Sequence, residues 1–143
     1  MSTAAPSRPR RAWPRRGRPG RDRGSASIEF AITAAAVMAV IFAAIQAATY
    51  FWARSIALAA AEEGVNAERA YNAAPGAGQT TATAFIASTG DGLTASTVTV
   101  TPIGAQQVQV TVTGHCLSVI PGFCDAFPVS ATVHGTRERI TSP

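Results

Sequence analysis

The chain has 143 residues, two cysteines, no lysine and a net charge of +4, which leaves room for one small domain and excludes a multidomain enzyme with a large buried core. An Arg-rich opening and a long apolar stretch take up the first half. Only the part after Pro75, roughly 65 residues, can build a water-facing core, and a domain of that size usually needs a covalent staple or a partner.

The opening carries Arg8, Arg10, Arg11, Arg15, Arg16, Arg18, Arg21 and Arg23 against the single acid Asp22, a balance of +7, whereas the rest of the chain sums to −3. Arg interleaved with Pro and Gly also suits a nucleic-acid arm, because such segments bind phosphate without folding. Directly before an apolar stretch, the same charge reads better as the signal that keeps an N-terminus in the cytoplasm.

From Ile28 to Trp52 the sequence is IEFAITAAAVMAVIFAAIQAATYFW, with Glu29 and Gln46 as its strongly polar members. As a helix it is about 37 Å long, enough to cross a hydrocarbon core of about 30 Å with some tilt. Tyr50, Phe51 and Trp52 suit the far interface, and Arg54 follows as an anchor. A cleavable secretory signal ending near Ala57-Leu58-Ala59 is the competing reading, but the apolar run exceeds an ordinary signal's core. The pairs Arg10-Arg11 and Arg15-Arg16 lack the apolar neighbours of a twin-arginine signal.

The helical pattern continues over 54–74 as a juxtamembrane extension, where Gly64 offers a place for a bend, and Pro75, Gly76 and Gly78 make a linker over 75–79. The extracytoplasmic domain then occupies 80–143. It opens with a short helix at Thr80–Ser88, with Ala84, Phe85 and Ile86 as apolar members, stopped by Thr89-Gly90-Asp91-Gly92. Three strands are expected from alternation: Val98 and Val100; Val108, Val110 and Val112; and Phe127, Val129, Ala131 and Val133. Their apolar faces would pack on a helix, and Pro128 points to an edge position for the third strand. The fold class is therefore α+β, a long N-terminal transmembrane helix followed by a small three-stranded antiparallel sheet domain with one short helix.

Cys116 and Cys124 sit in one connection, GHCLSVIPGFCD, on the side that the charge argument places outside the cytoplasm, where a disulfide is the natural state. A metal site using His115, Cys116, Cys124 and His134 fits no usual zinc spacing, and both histidines read as surface residues. The sequence has no Gly-rich phosphate loop, no supported Ser-His-Asp set and no carboxylate pair on a folded element. Glu62, Glu63 and Glu68 read as a solvated helix face. No catalytic residue, cofactor, metal or small-molecule substrate is expected, and the chain reads as a non-enzyme.

The junction Arg23-Gly24-Ser25-Ala26-Ser27-Ile28-Glu29-Phe30 places a glycine five residues before a glutamate at the head of the apolar helix. With the basic leader, the long Ala-rich helix and the β-rich tail, this resembles the TadE-like pseudopilins of the tight-adherence (Flp-type) type IV pilus assembly system. The resemblance implies cleavage between Gly24 and Ser25 by a prepilin peptidase, removal of leader 1–24, and a transmembrane helix of pilin type over 25–53. It also implies that Glu29 pairs with the freed amine of a neighbouring subunit, since a carboxylate in an apolar setting is costly unless compensated. The bland alternative keeps Glu29 at headgroup depth, where it complements the helix dipole. The implied partners are the prepilin peptidase, other pilins and pseudopilins, and the lipid bilayer. The implied place is the cell membrane, single-pass with the N-terminus cytoplasmic, and a minor or assembly-associated role fits the added domain. A plain anchored envelope protein and a nucleic-acid-binding membrane protein are the two other classes.

Overall fold

A computed structural model describes residues 22–137, with side chains from Ala26 onward. The expected basic leader lies outside the described residues as far as residue 21, as does the tail 138–143.

Helix α1 spans Asp22–Arg69, a proline-free run rich in alanine and other strong helix formers. Contacts divide the chain into two units at Ala36–Val37. In the described part of the first unit, α1 presents apolar side chains outward, with Ile28, Phe30 and Ile32 all exposed. Among the described residues, α1 is the one helix long and apolar enough to cross a membrane.

The second unit holds the rest of α1, helix α2 (Ala77–Ser88), strands β1 (Thr94–Ile103) and β2 (Gln107–His115), the short helix α3 (Phe123–Ala126) and strand β3 (Val129–Thr136). The sheet is antiparallel in the order β1-β2-β3, with Val98 opposite Val112, Val100 opposite Val110, and Val110 opposite Val133. Because side chains alternate across a strand, this register gathers the valines on one face. That face meets a stripe on α1 formed by Ala53, Ile56, Ala57, Ala60, Ala61 and Val65, joined by Ala82 and Ile86 of α2. The expected α+β class and the packing of sheet on helix both hold.

Details differ in four places. Helix α1 ends at Arg69, short of Ala74, because the chain turns there: Asn72 takes a left-handed φ of 56° and the Ala73 amide bonds to the Ala70 carbonyl. Helix α2 begins at Ala77, inside the expected linker, and its buried members are Gly78, Ala82 and Ile86, with Ala84 exposed. Gly64 does not break α1; it admits a close approach instead, since a Cβ there would stand 3.0 Å from the Gly78 carbonyl oxygen and 3.2 Å from the Ala82 Cβ. Phe127 is exposed and precedes β3, its ring against Phe123 at 5.0 Å between centroids, because the chain is still leaving α3. Pro128 sits just before β3, which is an edge strand as its position suggested.

Candidate functional site

The box at the head of α1 belongs to the first unit. Gly24 and Ser25 lie within the described helical backbone of α1. Glu29 follows about one and a half turns later and is exposed. It makes no hydrogen bond or ion pair with another described residue.

A different and more elaborate constellation lies in the second unit. Cys116 and Cys124 are joined by a disulfide, with Cα atoms 5.5 Å apart, so their sulfurs serve as a staple and not as metal ligands. The loop that they close is fastened to α1 through Gln46, which is 1% exposed. Its Oε1 accepts the backbone amides of Val119 (2.8 Å) and Ile120 (3.0 Å). Its Nε2 donates to the Leu117 carbonyl at 3.4 Å and faces the Cys124 Sγ at 3.1 Å. Two amides of an irregular loop thus find their acceptor on the helix, where leaving each unsatisfied would cost about 1–3 kcal/mol. Further bonds are internal to the loop: Ser118 Oγ to the Ile120 carbonyl, and the Phe123 amide to the same carbonyl at 3.2 Å.

His115 departs from the surface role expected of it, since it is half-buried with Nδ1 2.9 Å from the Cys124 carbonyl oxygen, bracing the same loop. His134 is exposed on β3 and is not brought near the cysteine pair by any contact among the described residues. Glu62 and Glu63 are exposed as expected. Glu68 is not a solvated-face residue: it accepts the Gly78 amide at 2.8 Å, filling the place of the missing side-chain cap at the start of α2, and lies 3.7 Å from Arg137.

Sequence reasoning did not assign Gln46, Glu68 or the Gly64–Gly78 crossing. A signal existed for the first, because an isolated amide in an apolar run needs partners wherever it is buried. What the sequence did not reveal was that the partners come from a loop some seventy residues away.

Among the described residues, the fold joins one helix long and apolar enough to cross a membrane to an α+β head stapled by a disulfide. Residues 24–66 match the family described as TadE-like protein, a segment that starts at the glycine of the box. Neither a curated protein nor a solved structure matches the chain.

Proposed function

We propose that this chain is a minor pseudopilin that takes part in assembling a tight-adherence type pilus or a related secretion apparatus, after a prepilin peptidase has cut between Gly24 and Ser25. The observation that carries the reading is the TadE-like match beginning at Gly24, with an exposed Glu29 five residues beyond it.

The chemistry supports the order of events. Glycine inside a helix costs roughly 1 kcal/mol relative to alanine, so local opening of the Gly24–Ser25 segment into a protease cleft is less costly than at an alanine. Cleavage removes the +7 arm and creates an α-amino group on Ser25. A neighbouring subunit's Glu29 then has a cation with which to pair in a low-dielectric setting, which fixes the axial register between subunits. The head, carried outside the cytoplasm, distinguishes this chain from a bare filament subunit.

Glu29→Ala tests the assembly role. Membrane insertion and leader removal are expected to persist, because losing a carboxylate lowers the cost of the apolar segment, while cross-linked complexes and piliation should drop sharply. Normal cross-links and normal piliation in that strain would reduce Glu29 to a helix-terminus carboxylate and favour a passive anchor.

A further inference from the structure

The disulfide loop exposes Leu117, Val119 and Ile120 to solvent at 43%, 41% and 38% of their surface, an unusual load of aliphatic side chains for four consecutive loop positions in so small a head. These residues are fastened to α1 at Gln46, well inside the stretch that composition assigns to the membrane. Next to Gln46 on α1, Ile41, Phe42 and Ile45 are also exposed, so the apolar surface of the loop and that of the helix are continuous.

Helix length gives the position of the boundary. From Ile28 to Gln46 is nineteen residues, or about 28 Å of helix, close to the roughly 30 Å hydrocarbon thickness. Tyr50, Phe51 and Trp52 then stand about 6–9 Å further out, at headgroup depth, where aromatic rings are favoured. The outer edge of the hydrocarbon therefore falls at Gln46 instead of Trp52, and the loop meets it.

We propose that the Cys116–Cys124 loop is a second membrane-contacting element, seated in the outer interface with Leu117, Val119 and Ile120 turned into the lipid. Irregular backbone at that depth is tolerated only when its polar groups are satisfied by protein. Gln46 and the internal bonds of the loop meet that requirement, and this assigns the buried glutamine its purpose. The disulfide holds the loop closed over the helix. With two points of contact, the head is restrained in tilt and height above the bilayer. The proposal rests on membrane anchoring by α1 and is independent of the pilus role.

Tryptophan depth quenching on the full chain in phosphatidylcholine proteoliposomes tests this. In a Trp13→Phe, Trp52→Phe background, single tryptophans are introduced as Ile120→Trp, Leu117→Trp, Phe42→Trp or Ile103→Trp, the last at the opposite end of the sheet from His115. Lipids brominated high on the acyl chain should quench emission at 120 and 117, with little loss to aqueous iodide. Position 42 should be quenched by deeper bromines, and position 103 by iodide alone. Iodide quenching at 120 and 117 equal to that at 103, with no bromolipid effect, would overturn the proposal. Shielding from both quenchers would also overturn it, in favour of a protein contact on the loop. Absence of bromolipid quenching at 42 as well would overturn the anchoring on which it rests.

Discussion

Two stretches of one helix are about equally rich in alanine and present opposite surfaces. In α1, residues 26–45 are alanine-rich with large aliphatics and expose almost every side chain, whereas residues 53–65, equally alanine-rich, bury Ala53, Ile56, Ala57, Ala60, Ala61 and Val65 at helical spacing. The difference lies in what stands opposite. The second stretch faces a sheet of valines and a crossing helix, and its small residues let those backbones come close; a Cβ on Gly78 would be 2.6 Å from the Gly64 carbonyl oxygen. The first stretch has no protein covering it among the described residues, which is what a lipid-facing surface requires. Alanine serves both settings, as a strong helix former in one and as a spacer for close packing in the other.

Gln46 stands at the boundary between the two stretches, and its replacement should have the largest effect. Gln46→Leu strands the amides of Val119 and Ile120, at about 1–3 kcal/mol each, so thermal unfolding of the head in detergent should fall by an amount equivalent to about 4 kcal/mol. An unchanged midpoint would mean that water serves the loop equally well and that this boundary is soft.

Next in size is a matched pair with the same chemistry at two sites. Ile56→Ala removes a side chain that is 5% exposed and should cost about 3 kcal/mol of head stability, whereas Ile32→Ala, at a position 66% exposed, should leave the head midpoint unmoved. Equal effects would erase the distinction between the packed stretch and the lipid-facing one.

The staple comes third. Replacing both Cys116 and Cys124 by alanine opens a loop of about nine residues and should cost about 2.5 kcal/mol by the chain-entropy estimate. Intact mass before and after alkylation without reductant should first show no free thiol in the native protein; two alkylated cysteines would contradict the bond seen here.

Much of this arrangement was legible in the residues themselves. Alternating valines at 108, 110 and 112 marked β2 because a half-buried strand has period two, and the apolar run with its basic flank marked the membrane helix. Phe127 misled because its apolar character continued the alternation of β3, while the real constraint was the short helix α3, four residues that carry no periodic signal. The ends of the juxtamembrane extension and linker depended on left-handed conformations at Asn72 and Gly76, which local propensity indicates only weakly. Glu68 looked solvated and Gln46 carried no assignment because their partners, Gly78 and the 119–120 amides, are set by tertiary contact and not by spacing along α1. The Gly24–Glu29 box is a matter of order along the chain, and the TadE-like match begins at its glycine.

Cleavage at that box is the central claim, and the N-terminus of the mature protein tests it most directly. Protein purified from native membranes should begin at Ser25 by intact mass and N-terminal sequencing, and Gly24→Leu should leave a heavier species that retains the arginine arm. A native protein that begins at Met1 or Ser2, in cells with an active prepilin peptidase, would contradict the account.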